Sequence, residues 1–370
     1  MMDKKKVVIA DIVRTPWGKP CGSMEKFISS DYSAVILKKL LERNGVEPLA
    51  IDQVVFGQSM PTTMPNNIGH YAWLKAELPV DVPGYTVQSV SGSALQALRN
   101  SYYLIATGNE GVCIAGGADS YSAGPFVMRD VRNHFYPKDR GVIDTLDEAE
   151  CCTQPEPMSR MEQYEKAHGA EMTDAQKAFA AESRAKAEKF AEVCGDAVVS
   201  LSYTDRKKGE IIISKDEWLG TEAEAPLAPY ADGGAVALLA SEEKAAELGL
   251  TAKAEILGFA VAGCDPVKQQ TSGAAAAAKL LKNKGLTVDD IACFEIIENS
   301  AAHVLETVEA LGFKGKVNPY GGALAFRKCD GAEGIAMLMR LTASLEAGQL
   351  GVACTYSAGG QGMAVLVKKI

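Results

Sequence analysis

Short apolar runs alternate along this chain with longer segments in which apolar residues recur every three or four positions. Residues 6–13 form the first run, and residues 30–44 form the first segment of the second kind. In that segment four apolar residues share one helical face: Ala34, Leu37, Leu40 and Leu41. Short continuous runs are typical of buried strands, and the wider spacing is typical of amphipathic helices. The pattern therefore predicts an α/β fold that begins with a buried strand.

The same alternation continues to the end of the chain. Further strands are predicted at residues 52–57, 82–87, 111–118, 234–240, 254–263 and 291–297. Further helices are predicted at residues 66–78, 91–107, 241–248, 271–284, 300–311 and 331–345. Strands that alternate with helices in this way favour layered sheets with helices packed on their faces.

The composition changes between residues 121 and 229, where prolines and polar turns surround a helical segment at 173–193. This stretch interrupts the alternation of strands and helices. We interpret it as an insertion that covers a site, with its charges on a solvated face.

A weak repeat links the two ends of the chain. Residues 106–115 and 346–355 share a helix end, a glycine, a short turn and an apolar strand, and each is followed by paired glycines. Internal similarity of this kind predicts related structural units, although chance similarity of two strand–helix units is the alternative. We therefore predict a first α/β half at 1–120, an inserted loop domain at 121–232 and a second α/β half at 233–370.

Composition and charge narrow the possible functions. The chain has 370 residues and a formal net charge of −9, with no extended basic stripe. This balance argues against nucleic acid and anionic membranes as partners, and no apolar run is long enough to span a bilayer. Nine cysteines, an odd number, favour reduced thiols in the cytoplasm over a disulfide framework. The four histidines show no metal-ligand spacing, so no metal site is predicted.

The stretch 87–98 has the pattern of a strand, a sharp turn and a helix, with Ser91 at or beside the helix N-terminus. Free backbone N–H groups and the helix dipole favour negative charge there. The position therefore suits a nucleophile whose attack creates an oxyanion. The alternative is that Ser91 only caps the helix, as serine does well.

Four passages resemble, in the same order, motifs of the thiolase family: residues 12–19, 87–98 with 112–120, 317–323 with 331–334, and 358–362. They are similar to the family's opening motif, its nucleophile turn and following strand, its catalytic-histidine loop and its C-terminal glycine loop. The resemblance is to acetyl-CoA acetyltransferases and to the sterol-carrier-type branch. It implies two related layered halves in the order α-β-α-β-α. It also implies acyl-coenzyme A thioesters as substrates, with no tightly bound cofactor.

The resemblance also implies the site residues. Ser91 takes the place of the family's nucleophilic cysteine, Lys328 that of its histidine and Tyr356 that of its second cysteine. Ile297 takes the place of an asparagine that helps to hold an oxyanion-hole water, while Glu298 keeps the acidic character of its counterpart. The implied catalytic set is Ser91, Lys328, Tyr356 and Glu298, and the implied coenzyme A contacts are Gly258, Phe259, Ala358 and Gly359.

The substitutions change the expected chemistry. A serine hydroxyl is a weaker nucleophile than a thiol near neutral pH and needs an adjacent base. Lys328 would be that base if burial kept its amine neutral, and Tyr356 would donate a proton or orient the substrate. Backbone N–H groups of Ser91 and of the Ala358 region would form an oxyanion hole. Glu298 is also interpreted as an ordinary charge at a helix N-terminus.

Several functions are consistent with these residues. The main prediction is a thiolase-like acyl-CoA acyltransferase that forms or cleaves a carbon–carbon bond on a 3-oxoacyl-CoA-type thioester. The alternative is a catalytically altered thiolase-fold subunit that binds coenzyme A or acyl groups, or acts in a hetero-oligomer with a small OB-fold partner. In that case Ser91 caps a helix, Lys328 is a surface charge and Tyr356 fills a vanished pocket. A ketosynthase-like or hydrolytic enzyme on the same fold is more distant.

Two further points follow from the resemblance. It implies a homodimer or homotetramer, and residues 297–313 are similar to the sterol-carrier-type branch, in which some relatives act with an OB-fold protein. An engineered cysteine-to-serine exchange would explain Ser91 alone, but not Lys328 and Tyr356. His303 is interpreted as a helix histidine rather than a catalyst.

Overall fold

The computed structural model describes residues 4–61, 66–127, 143–144, 172–217 and 227–370. The helices are α1 (Ser29–Asn44), α2 (Ile68–Lys75), α3 (Ser93–Ala106), α4 (Asp174–Cys194), α5 (Glu242–Glu247), α6 (Ser272–Lys284), α7 (Ala301–Leu311), α8 (Ala323–Phe326) and α9 (Asp330–Ser344). The first eight strands are β1 (Val7–Arg14), β2 (Gln53–Gly57), β3 (Gly84–Val87), β4 (Val112–Asp119), β5 (Phe126–Val127), β6 (Ile143–Asp144), β7 (Leu201–Asp205) and β8 (Gly209–Ile213). The remaining strands are β9 (Gly233–Ser241), β10 (Ala254–Gly263), β11 (Cys293–Ile296), β12 (Lys316–Val317), β13 (Leu350–Ser357) and β14 (Gln361–Lys369).

Ten strands form one mixed sheet in the order β12-β11-β13-β14-β10-β1-β9-β4-β2-β3. From the centre outward, β1, β9, β4, β2 and β3 have the same order and relative directions as β10, β14, β13, β11 and β12. The strands of the weak sequence repeat, β4 and β13, occupy equivalent places in the two halves. The sheet topology therefore supports two related halves.

The boundary between the halves differs from the predicted division. Strand β9 was grouped with residues 233–370, yet it lies between β1 and β4 in the first half of the sheet. The change in composition near residue 230 marks the end of the insertion. It does not mark the start of the second half, because the chain first returns to complete the first half with β9.

Alternate residues of the central strands face two different layers. In β1, Val7 and Ile9 join the central core that contains α3 and α9, whereas Val8 and Ala10 join the outer core that contains α1 and α2. A third core packs α6 and α7 on the outer face of the second half. Since strand side chains alternate between faces, both faces of each half are covered. The predicted α-β-α-β-α order is confirmed.

Several element boundaries differ from the prediction because local contacts end or begin a helix. The helix predicted from residue 91 begins at Ser93, since Val90–Gly92 form a 3₁₀ turn. The helix predicted from residue 66 begins at Ile68, where the side chain of Asn67 accepts a hydrogen bond from the His70 N–H at 3.4 Å. The loop predicted at 318–323 leads into the short helix α8.

The described part of the inserted segment contains α4 and the hairpin of β7 and β8. Helix α4 matches the predicted segment 173–193, and Thr173 and Gln176 form a capping box at its start. Its Phe190 packs edge-on against Phe326 at 5.1 Å between ring centroids. Apart from β6, residues 128–171 of the predicted loop domain lie outside the described residues. Among the described helices, none is both long enough and apolar enough to cross a membrane.

Candidate active site

The turn that carries Ser91 is sharply bent and is held by hydrogen bonds to the Ser93 side chain. Val90 adopts a left-handed backbone with φ of +47°, which is unusual for a β-branched residue. The Ser93 hydroxyl donates to the carbonyl of Val90 at 2.6 Å and accepts from the Ser89 N–H at 2.8 Å. A strained backbone of this kind costs about 1–3 kcal/mol and is found preferentially at functional sites. The turn presents Ser91 between β3 and the start of α3.

Ser91 faces the turn between β13 and β14. The Ser357 hydroxyl donates to the Ser89 carbonyl at 2.8 Å, and a Cβ atom at Gly92 would lie 2.7 Å from Ser357 Oγ. The two turns are therefore in direct contact, and the structure brings Ala358 and Gly359 close to Ser91. Within the described part of the chain, neither the Ser91 hydroxyl nor the N–H groups of Ser91 and Ala358 have a hydrogen-bond partner. These groups are available to a ligand.

Lys328 is buried and its amine is held in place. Its Nζ lies 3.6 Å from Asp330 Oδ2 and 4.5 Å from the centre of the Tyr230 ring, which stacks on Tyr121 at 4.3 Å. The backbone of Lys328 also pairs with the strand-like segment around Tyr230. A carboxylate and an aromatic face both stabilise an ammonium group. The Lys328 amine therefore lies between a carboxylate and an aromatic face.

Tyr356 lies next to this amine. Burial raises the pKa of Tyr356, although the Lys328 charge and a hydrogen bond with Asn299 work in the opposite direction. The phenol is consequently neutral and can donate a proton. Its ring packs edge-on against His303 at 4.3 Å, and burial lowers the pKa of that histidine to about 3. His303 is therefore a neutral packing partner of Tyr356 at physiological pH.

Glu298 is buried beside the loop that leads to Lys328. Its carboxylate accepts hydrogen bonds from Ser183 at 2.7 Å, Asn318 at 2.8 Å and the Leu324 N–H at 3.1 Å. These contacts join α4 to the loop that leads through α8 to Lys328. They hold the Glu298 carboxylate in the structure, and its catalytic role stays a prediction beside the structural one. Burial raises the pKa of Glu298, while the three hydrogen bonds lower it.

The structure does not bring Gly258 and Phe259 to Ser91. Both lie in β10, and Phe259 packs against Tyr102 near the C-terminal end of α3 at 5.3 Å between ring centroids. Ser91 precedes the N-terminal end of the same helix. The C-terminal end of β10, beyond Gly258 and Phe259, adjoins the turn at Ala358, because Gly263 pairs with Gln361 and the Cys264 N–H donates to the Gly360 carbonyl at 2.8 Å. The coenzyme A contacts at Gly258 and Phe259 stay predictions.

Sequence reasoning missed three groups that surround Lys328: Tyr121, Tyr230 and Asp330. Asp330 lies two positions after Lys328, and this short spacing was an available signal. Tyr121 and Tyr230 lie at the two ends of the insertion, so only the folded chain brings them to Lys328. In the residues that the structure covers, no cluster of histidine, cysteine or acidic side chains suits a metal ion.

A buried cluster of charged side chains lies between β11 and α9. Arg340 in α9 donates to Glu333 at 2.6 Å and to Glu295 of β11 at 3.2 Å. Burial raises the pKa of Glu295 to about 8, although Arg340 opposes the shift. One arginine cannot neutralise both of these glutamates and the nearby Glu298. Glu295 is therefore expected to be protonated at neutral pH.

This proton makes stability depend on pH. An unfolded glutamate has a pKa of about 4.3, so between about pH 4 and pH 8 the folded chain holds a proton that the unfolded chain has released. The free energy of unfolding should fall in this window as pH rises. We expect Glu295→Gln to flatten that slope by up to about 1.4 kcal/mol per pH unit. Urea titrations at pH 5 to 8 test this, with the exposed Glu346→Gln as the control; equal slopes in both variants would contradict it.

Comparison with known proteins identifies the family. The thiolase N-terminal domain matches residues 7–243, and the thiolase C-terminal domain matches residues 250–369. The chain belongs to the thiolase family. The boundary between the two matches agrees with the placement of β9 in the first half of the sheet. The strained Ser91 turn and the turn at Ala358 lie one in each domain of this thiolase.

The relatives and solved structures below match this thiolase over nearly the whole length of both chains. An acetyl-CoA acetyltransferase of Cupriavidus necator is 31% identical over 391 residues, covering 98% of this chain and 99% of that protein. A 3-ketoacyl-CoA thiolase of Cronobacter sakazakii is 32% identical over 400 residues, covering 99% and 100%. The crystal structure of a Bacillus anthracis acetyl-CoA acetyltransferase matches with a TM-score of 0.91 at 27% identity, over 100% of both chains. A thiolase of Ascaris suum in complex with coenzyme A matches with a TM-score of 0.86 at 25% identity, over 99% and 100%.

Proposed function

We propose that this thiolase is an acyl-CoA acyltransferase that forms or cleaves a carbon–carbon bond on a 3-oxoacyl-CoA-type thioester. The observation that carries the proposal is the unengaged Ser91 hydroxyl on its strained turn, beside the free N–H groups of Ser91 and Ala358. The names of the relatives and the coenzyme A complex of a related structure support the substrate class. No tightly bound cofactor is needed for acyl transfer of this kind.

In the proposed reaction Ser91 Oγ attacks the thioester carbonyl carbon. The carbon–sulfur bond then breaks, and the hydroxyl proton of Ser91 ends on the thiol of coenzyme A. The acyl group next passes from Ser91 Oγ to the α-carbon of a second acyl-CoA, and the proton that this carbon loses ends on Oγ; cleavage is the reverse of this step. The N–H groups of Ser91 and Ala358 stabilise the oxyanion. The Lys328 charge favours the same negative intermediate, and the neutral phenol of Tyr356 supplies a proton donor for the leaving sulfur.

The proposal places coenzyme A along the turn of Ala358 and Gly359. The Gly359 N–H is held by the side chain of Gln269 at 3.1 Å, which fixes the backbone of this turn. Gly258 and Phe259 lie toward the other end of α3, and their contacts with coenzyme A stay predictions. Glu298 holds the loop that leads to Lys328, and its catalytic role stays a prediction beside this structural one.

Intact-mass measurement tests the proposal. After incubation with acetyl-CoA or butyryl-CoA, we expect a covalent acyl adduct and free coenzyme A in equal amounts. Acetoacetyl-CoA, cleaved between its second and third acyl carbons, should give an acetyl adduct and acetyl-CoA. Ser91→Ala should lose both signals, because it removes the hydroxyl that attacks the thioester. Ser344→Ala, a serine at the far end of α9, should keep both. An adduct that persists in Ser91→Ala, or no adduct from any of the three thioesters, would refute the proposal.

One observation favours a second candidate function. The Lys328 amine contacts Asp330 and Tyr230 and makes no hydrogen bond with Ser91, so Ser91 has no hydrogen-bonded base among the described residues. A catalytically altered subunit would bind coenzyme A or acyl groups, as a homodimer or homotetramer or with a small OB-fold partner. Calorimetry showing coenzyme A binding without adduct or thiol release would favour this function, and light scattering would give the oligomeric state.

A further inference from the structure

A cavity lies at the end of α9 that is remote from Ser91. It has a volume of about 270 Å³ and is bounded by β1, by α4 with the turn after it, by α9 and by the ends of β10 and β14. Helix α9 rises about 1.5 Å per residue, so Met339 and Ala343 in its last turns lie at least about 13 Å from Asp330 beside Lys328. The cavity is therefore separate from the proposed acyl-transfer site.

One wall of this cavity is apolar and another is basic. Ile12, Ala197, Met339 and Ala343 supply hydrocarbon surface, Lys253 and Lys369 supply two amino groups, and Asp196, which is paired with Arg43, supplies one carboxylate. A volume of about 270 Å³ is just below the range of about 300–1,000 Å³ that holds drug-sized molecules. The cavity thus suits a small ligand with one apolar part and one anionic part.

The charges around the cavity leave one cation without a counter-ion. Lys253 binds Asp11 at 2.6 Å, and Arg43 binds both Asp11 at 3.1 Å and Asp196 at 3.3 Å. Both carboxylates near the cavity are therefore already paired. Within the described chain no carboxylate pairs with Lys369. Partial burial and the nearby Lys253 lower the pKa of Lys369, as expected for an amine that lacks an anion.

We propose that this cavity binds a short aliphatic monocarboxylate of about four to six carbons, with its carboxylate at Lys369 and its chain against Met339 and Ala343. The carboxylate would supply the missing counter-ion, and the chain would cover the apolar wall. An inorganic anion satisfies only the charge, and a neutral alcohol only the apolar wall. The proposal stands independently of the chemistry at Ser91.

Ligand-observed NMR titration of the full chain tests the site. We expect saturable binding of hexanoate, and binding at least about tenfold weaker for hexan-1-ol and for acetate, because each lacks one of the two contacts. Lys369→Met should weaken hexanoate binding by at least about tenfold through loss of the charge-assisted hydrogen bond. Lys368→Met is the matched control, since Lys368 is exposed on the neighbouring position of β14 and does not line the cavity.

A second variant keeps the test independent of changes in β14. Val193 lines the cavity and its side chain is exposed, so Val193→Glu should fold normally and repel a carboxylate. We expect it to weaken hexanoate binding and leave the binding of hexan-1-ol unchanged. Equal hexanoate affinity in Lys369→Met and Lys368→Met, or no saturable hexanoate binding to the unmodified protein, would overturn the proposal.

Discussion

Gly117→Ala is expected to destabilise the protein by about 3 kcal/mol, the upper end of what an added group typically costs in a close-packed core. Gly117 lies in β4 directly below the start of α9, and a Cβ atom there would be 1.7 Å from the carbonyl oxygen of Gly331. Both atoms belong to fixed elements, because Gly331 also donates its N–H to Asp119 at 2.6 Å. The added methyl group must therefore push α9 away from the sheet.

The displacement should also reach the proposed site. Gly331 follows Asp330, which holds the Lys328 ammonium, so movement of the helix start separates this pair. Urea titration measures the stability, and thiol release from acyl-CoA measures the effect on the site. Gly195→Ala is the control, because a Cβ atom at Gly195 meets nothing within 4 Å and its φ of −61° suits alanine. A stability loss below about 1 kcal/mol in Gly117→Ala would show that α9 is more loosely packed than its contacts indicate.

Most strands and helices of the two halves were predictable because their signals are local, although β14 and the hairpin of β7 and β8 were not predicted. Strands such as β4 and β9 are buried on both faces, so their sequences are continuous apolar runs. The position of β9 between β1 and β4 was not predictable in this way, because strand order depends on contacts between distant segments. The repeat between β4 and β13 gave the correct symmetry, although it did not indicate which half receives β9.

The site was predictable only where one stretch of chain builds it. Ser91 was found from its own strand–turn–helix pattern, and the turn at Ala358 followed from the resemblance of its glycine loop. The surroundings of Lys328 were not predictable, because Tyr121 and Tyr230 come from the ends of the insertion. The sequence alone did not show that the Lys328 amine lies beside the Asp330 carboxylate and the Tyr230 ring.

Arg340→Leu is expected to reduce the free energy of unfolding by about 3–5 kcal/mol, which is typical when one partner of a buried ion pair is removed. Burial alone would lower the pKa of Arg340, but Glu333 and Glu295 raise it, so the guanidinium is charged in the folded chain. Leucine would leave the Glu333 carboxylate, and that of Glu295 wherever it is ionised, in the core without a cation. The loss should be larger at pH 8 than at pH 5, because the remaining glutamates can take up protons at the lower pH.

A combined variant shows how much of the lost stability comes from unpaired carboxylates and how much comes from lost packing. If uncompensated carboxylates cause the loss, Glu295→Gln and Glu333→Gln added to Arg340→Leu should restore part of the stability, although each change removes a further native group. Simple additivity of the three losses in urea titration would mean that Arg340 acts through packing alone. Arg206→Leu in the exposed turn between β7 and β8 provides the control and should change stability by no more than about 0.5 kcal/mol. Arg340 connects β11 with α9. Strand β11 leads to Glu298, and α9 begins beside Lys328. If the combined variant recovers stability but transfers acyl groups more weakly, this ion pair also orients the site.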